Sequence, residues 1–436
     1  MKSTENKIPR ILVITVSAWN NKVGSNTWST LVSQCESENV ANLFIREEQP
    51  DNPVCSRYFR ISENRVLKSI FKRGIKTGTE VQPMLEDGSE NKDLAPHNER
   101  YRKMKKHRRY SMLLARELVW CVGKWRSREL DDFLDGFSPD VILYSMEGYI
   151  HLNRIIEYSL KRTGASGIGY FWDDNFTYRQ SKKIGYKIYR FFQRRSLKNL
   201  AKVTDKFFAI SDMTKKEADS FFGIDCRILT KPLNSAPEVK YNAVDKPIDI
   251  LYTGNLLIGR DRSLLRLVNA IRDNYRNDFV IDVYTQTLLD DKIKAEIEQG
   301  GVCRIHPPIP QSEVLKKQKE ADLLLFLEDI DGPDAHTARL SFSTKITDYL
   351  SSGKAIFAIG CRETAPMHYF IDNESAFVAT NDKEIKLELI KISQAPDLLT
   401  EYAKKSVECG IRNHSKDKIL GIFNDTLNEV LKNKDK

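Results

Sequence analysis

A chain of 436 residues exceeds what one ordinary hydrophobic core holds, so two domains are expected. Its 41% apolar content excludes wholesale disorder, and no apolar run approaches the roughly 18 residues that span a bilayer, so no transmembrane helix is expected. The net charge of +9 is local: residues 99–130 carry eleven Lys or Arg against three Glu, residues 182–202 carry eight and no acid, and the remainder is net negative. Charge gathered in this way points to a specific anionic surface. Met1–Arg10 is polar and Ile11–Val16 is too short for a secretory apolar segment of roughly 7–15 residues. Seven cysteines stand singly, with no Cys-x-x-Cys, which predicts a reducing, cytoplasmic setting without a disulfide framework or zinc site.

In chain order, Arg10–Val16 predicts a buried strand, and Ser17–Trp28 predicts the loop after it, with Gly24 inside. A helix begins near Ser25–Ser29, the strand-to-helix step of a doubly wound sheet, although Gly-x-Gly-x-x-Gly is absent. Val40–Ile45 predicts a second strand. Lys72–His107 is polar and rich in turn formers, which predicts a flexible insertion over about 72–108. Tyr110–Phe133 reads as mostly helical. Pro139–Tyr144 predicts a strand ending at Glu147-Gly148, His151–Arg162 a helix, and Gly167–Trp172 a strand ending at Asp173-Asp174.

Lys182–Leu200 interleaves cations with Ile184, Ile188, Tyr189, Phe191, Phe192 and Leu197. That pattern suits an anionic membrane interface, a single-stranded nucleic acid or a core helix with a basic solvated face. No recognisable nucleic-acid module accompanies it, so no nucleic acid is expected. Ser235–Pro247 is poor in pattern and predicts a linker. The alternation then restarts with strands at Asp249–Thr253, Phe279–Tyr284, Ala321–Leu327 and Ala355–Ile359. Two such runs describe two Rossmann-like domains: residues 1–235, residues 248–410, and a C-terminal helix and tail over 411–436.

The chemistry-bearing stretch is Ser341-Phe342-Ser343-Thr344-Lys345-Ile346-Thr347-Asp348-Tyr349-Leu350-Ser351-Ser352-Gly353-Lys354. Ser341–Thr344 offer hydroxyls and free amides where a helix begins after a buried strand, a ready anion site beside the Lys345 cation. Asp348 lies one turn on, on a face suited to ribose hydroxyls. Leu251–Asn255 brings a second feature: Gly254 permits close approach to a phosphate, and Arg260 and Arg262 follow as forked donors or as solvated charges. Asp173, Asp174 and Glu147 end strands of the first domain, where a carboxylate by itself caps a turn or is solvated. His151 starts a helix, and His336 precedes the Ser341 stretch.

This stretch resembles the donor-binding segment of nucleotide-sugar glycosyltransferases with the GT-B fold, of the family 4 kind. Ser341-Phe342, Thr344-Lys345 and Gly353 match, Asp348 takes the second Glu, and Leu340 stands where the first Glu belongs. The resemblance covers roughly residues 10–430 and implies an α/β fold of two Rossmann-like domains facing a central cleft. It further implies a donor site at Gly254, Arg260, Arg262, Ser343, Thr344, Lys345 and Asp348. Catalytic candidates are then Asp173, Asp174 and Glu147, with Gly24 and His151 on the acceptor side.

The expected activity is transfer of a sugar from a nucleoside diphosphate to a saccharide acceptor, lipid-linked, in surface polysaccharide assembly. The protein is then expected in the cytoplasm, peripherally on an anionic membrane, using no metal and no cofactor. A sugar-nucleotide epimerase without a membrane face, or a non-catalytic GT-B-like binding subunit suggested by Leu340, fits the same residues. The C-terminal helix Ile411–Val430 would return toward the first domain.

Overall fold

The computed structural model describes residues 8–20, 27–84, 110–233, 238–239 and 246–434. The chain forms two compact units: Met1–Leu229 together with Gly421–Lys436, and Thr230–Leu420. Among the described residues no helix is long and apolar enough to cross a membrane.

The first unit is built on an eight-stranded sheet. Its strands are β1 (Ile11–Thr15), β2 (Val40–Phe44), β3 (Arg57–Ile61), β4 (Gly78–Val81), β5 (Val141–Ser145), β6 (Ser166–Phe171), β7 (Lys206–Ala209) and β8 (Cys226–Ile228). They lie in the order β4-β3-β2-β1-β5-β6-β7-β8, all parallel except β4, which runs antiparallel to β3. Continuous apolar runs such as Ile11–Ile14 and Val141–Tyr144 are fully buried, as parallel strands covered on both faces require. Strand β4 corrects the flexible insertion expected over 72–108: Gly78–Val81 pairs with Tyr58–Ile61. A side chain at position 78 would collide with the Phe59 ring, so glycine lets the two backbones meet. Residues 85–109, the rest of that insertion, lie outside the described residues. The basic helix expected over Tyr110–Phe133 is two helices, Tyr110–Val122 and Arg128–Phe137, the second capped by the Ser127 hydroxyl on the Leu130 amide.

The second unit carries six parallel strands: β9 (Ile248–Thr253), β10 (Phe279–Tyr284), β11 (Cys303–His306), β12 (Leu323–Leu327), β13 (Ala355–Ile359) and β14 (Phe377–Ala379). Their order is β11-β10-β9-β12-β13-β14, so the winding reverses between β9 and β12. In the first unit it reverses between β1 and β5. Open parallel sheets bind ligands outside the carboxyl ends of the strands at such reversals. One reversal in each unit is therefore marked before any side chain is considered.

The long helix at the C-terminus is interrupted. Leu398–His414 is followed at once by Lys416–Lys434, and the division between units falls inside the latter, after Leu420. Phe423, Leu427 and Val430 are buried, and Arg227 reaches both Thr426 and Glu429.

Candidate functional site

At the reversal of the second unit, Gly254 follows β9 with φ of 138°, a conformation that L side chains rarely adopt. A Cβ at that position would fall on the Lys345 ammonium, so the glycine and the lysine occupy one spot. Lys345 is half-buried; its Nζ lies 4.6 Å from the Tyr252 ring centroid and 3.4 Å from the Tyr252 hydroxyl. That hydroxyl donates to the Asn255 carbonyl at 2.5 Å. Burial lowers the Lys345 pKa to about 8, the Arg260 charge adds to the effect, and Glu328 opposes it.

Arg260 stands beside this spot but is engaged on all three nitrogens. Nε donates to the Leu327 carbonyl at 3.0 Å, Nη1 to Asn255 Oδ1 at 2.7 Å, and Nη2 to the two Glu328 oxygens at 2.8 and 3.0 Å. It ties the turn after β9 to the end of β12. Burial is the largest effect and works against its charge, but Glu328 and Tyr252 together raise its pKa. Arg262 faces elsewhere, toward Asp329 at 2.7 Å and Asp334 at 3.1 Å. Side chains at Gly259 or Gly332 would strike the Arg262–Asp329 pair, so both glycines make room for it.

The helix Thr344–Leu350 opens with Ser343, whose hydroxyl accepts from the Lys345 amide at 3.4 Å. Phe342 packs edge-on against Tyr369 at 5.0 Å, and the Tyr369 hydroxyl meets His414 Nε2 at 2.6 Å. Asp348 is paired with Lys231 Nζ at 2.7 Å. His336 is exposed, 3.8 Å from Glu363. Leu340 is fully buried and presents no carboxylate.

The structure thus gathers Gly254, Arg260, Lys345 and the Ser343–Thr344 helix start at one sheet reversal, and directs Arg262 and Asp348 to carboxylate and lysine partners. Sequence reasoning missed Glu328, Asn255 and Tyr252. Glu328 carried a signal, since it is the first charge after the apolar run Leu323–Leu327.

The reversal of the first unit holds carboxylates. Glu147 follows β5, and burial, with the neighbouring Asp173 charge, raises its pKa to about 7 against the Trp172 hydrogen bond and Arg46. Glu48 follows β2, takes the Ala18 amide at 3.1 Å and lies 3.6 Å from Arg46. Burial raises the Glu48 pKa as well. Arg46 Nη1 donates to the Ser17 hydroxyl at 2.7 Å. Neither Arg46 nor Glu48 was legible in the sequence, because nothing local marks them.

Asp174 is buried and receives the Thr177 amide at 2.9 Å and the Thr177 hydroxyl, while Asp173 is exposed. His151 is corrected from an acceptor contact to a packing residue. It is 1% exposed, its ring stacks on Trp120 at 4.6 Å, and Nδ1 meets Glu117 at 2.9 Å. Glu117 also takes the Ile150 and His151 amides and so caps that helix. Gly24 lies outside the described residues.

No family description matches this sequence, and no curated protein matches it. Solved structures do. A glycosyltransferase of Rickettsia africae ESF-5 is 13% identical with a TM-score of 0.57, covering 97% of this chain and 98% of its own. HepE of Anabaena, solved in complex with UDP, is 9% identical with a TM-score of 0.60, covering 96% and 100%. The lipopolysaccharide outer core galactosyltransferase WaaB is 13% identical with a TM-score of 0.56, covering 96% and 99%. With two α/β units built on mostly parallel sheets, this chain has the GT-B fold of those proteins.

Proposed function

We propose that this protein is a glycosyltransferase that moves a sugar from a nucleoside diphosphate donor to a saccharide acceptor. The observation that carries the reading is the Lys345 ammonium seated in the space of the missing Gly254 side chain, at the reversal of a parallel sheet. A diphosphate leaving group gathers negative charge in the transition state, and a fixed cation in a partly desolvated site stabilises it there. Arg260, bound to Glu328 and Asn255, keeps that turn in shape. Glu147, with a pKa near neutrality, suits removal of a proton from an acceptor hydroxyl. The complex of HepE with UDP favours a uridine nucleotide among the donors to try first.

The acceptor reading is lipid-linked and peripheral to a membrane, in surface polysaccharide assembly. Its support is the outer face of the helix Ile184–Ala201, where Ile184, Ile188, Phe191 and Phe192 are exposed among Lys187 and Arg195. Thermal shift against UDP, GDP, ADP and their sugars tests the donor reading, since a ligand of the folded state alone raises the melting temperature. Failure of every nucleoside diphosphate to stabilise the protein removes the proposal.

A further inference from the structure

Arg190 projects from the inner side of the helix Ile184–Ala201 and is only 4% exposed. Its Nη2 donates to Gln180 Oε1 at 2.6 Å, and its guanidinium lies 5.1 Å from the Tyr186 ring centroid. Among the described residues, Nε and Nη1 have no hydrogen-bond partner. Arg194, one turn on, donates to the Phe176 carbonyl and sits 4.6 Å from the Tyr178 ring centroid and 4.0 Å from that of Phe221. Burial lowers the Arg194 pKa and the Arg190 charge adds to that, with Tyr178 and Asp174 acting the other way. Asp174 receives the Thr177 amide at 2.9 Å and the Thr177 hydroxyl, and its charge also acts on Arg194.

Buried donors left unpaired are among the more unfavourable features a fold retains, and a charged group more so. Water satisfies the N–H groups but leaves the charges of two neighbouring guanidinium groups poorly compensated. A phosphate meets both needs, because its oxygens match the guanidinium fork. Gln180 Oε1 stands where one such oxygen would lie, as a neutral substitute.

The surroundings narrow the ligand further. Phe191 and Phe192, next in sequence to Arg190, are exposed on the outer face. On the inner face Gln193 donates to the Gly148 carbonyl at 2.6 Å, directly after Glu147. The covering segment begins at Trp172-Asp173, at the carboxyl end of β6. A phosphate here lies between exposed apolar side chains and the carboxylates of the first unit.

We propose that Arg190 and Arg194 bind the phosphate of an amphiphilic, phosphorylated acceptor beneath the segment Thr177–Lys183. The anion site stands on the buried Arg190 nitrogens beside Arg194, while its assignment to an acceptor rests on the glycosyl-transfer reading.

The test is calorimetric binding of decyl phosphate and of inorganic phosphate to the full-length protein. Arg190→Gln and Gln180→Glu are compared with the parent, and UDP is run in parallel. Gln180→Glu keeps the fold by giving Arg190 an internal carboxylate, so it should melt higher than the parent yet bind decyl phosphate at least about tenfold more weakly. Arg190→Gln should lose the same binding, and both should keep UDP binding.

Decyl phosphate bound more tightly than inorganic phosphate, and lost in both variants, is the expected result. Equal affinity for the two would overturn the acceptor assignment. Binding of either that survives both variants, or no binding at all, would overturn the site. Loss of UDP binding by the parent with anion binding intact would count against the donor reading and leave this site standing.

Discussion

Lys345 carries the most specific consequence at the scale of single residues. With a pKa of about 8, its ammonium is charged below that pH and is progressively neutral above it. Affinity for a nucleoside diphosphate should therefore hold from pH 6 to about 8 and then fall by at most about tenfold per unit. A nucleoside without phosphates should show no such limb. Titration calorimetry of UDP against uridine reads the difference, and parallel curves for the two ligands would rule out the contact. Lys345→Ala should weaken UDP by roughly 1.5–3 kcal/mol and leave uridine alone. Folding stability runs the opposite way in the empty protein. Because the folded pKa lies below the unfolded one, stability rises with pH from about 8 toward the ordinary lysine value of 10.5.

Glu147 adds a second residue-scale prediction. Its carboxyl, raised to about 7, is protonated and inert as a base below that pH. Turnover should climb through pH 7 and level off above it, and Glu147→Gln should lower it roughly 10²–10⁴-fold. An unchanged acid limb in that variant would assign the base elsewhere. For this carboxyl the stability sign is reversed, since the folded protein binds more protons than the unfolded chain between 4.5 and 7. Its contribution to stability is lost as pH rises through that window.

Elements that announce themselves by period and caps were legible. The buried strands at Ile11, Val141, Leu323 and Ala355 follow from apolar runs between charges, Gly254 from its place after a strand, and Lys345 from its place at a helix start. Strand β4 was not legible, since Gly78-Thr79-Glu80-Val81 carries little pattern and exists through its ladder with β3. Arg260 looked like a free phosphate donor because Glu328, which holds it, is 68 residues away. Asp348 and Lys231 were likewise hidden by a separation of 117.

The helix Ile184–Ala201 shows the same limit. Its cations read as one basic face, yet Arg190 and Arg194 turn inward while Lys187 and Arg195 face out with Phe191 and Phe192. Co-sedimentation with anionic vesicles at low salt should therefore fall on changing Lys187 and Arg195 to Gln, each charge being worth roughly 1 kcal/mol. Phe191→Ser with Phe192→Ser should remove the portion that survives 1 M salt, where the Debye length is about 3 Å. Equal pelleting of parent and both variants would dismiss this helix as the membrane contact.

At the scale of the whole molecule, the first unit depends on residues that follow the entire second unit in sequence. Phe423 is fully buried, its ring tilted against that of Phe208 at 6.4 Å, both in the first unit. Phe423→Ala should cost about 3–5 kcal/mol by the cavity it leaves. The loss belongs to the first unit, so UDP should still stabilise the second. Calorimetry with and without UDP separates the two transitions, and a single transition lowered equally in both conditions would contradict this division.

The order in which the chain is made gives that division a history. A ribosome delivers the eight strands of the first sheet, then the entire second unit, and only then the segment from Gly421 that completes the first. The second unit has all its residues while the first still lacks Phe423, Leu427 and Val430. Domains fold as units during synthesis, generally from the N-terminus. Here the sequence of completion is inverted: a nascent chain paused near Leu420 carries a finished second sheet and a first sheet with an uncovered apolar face. That face is covered only when the segment holding Phe423, Leu427 and Val430 has been made.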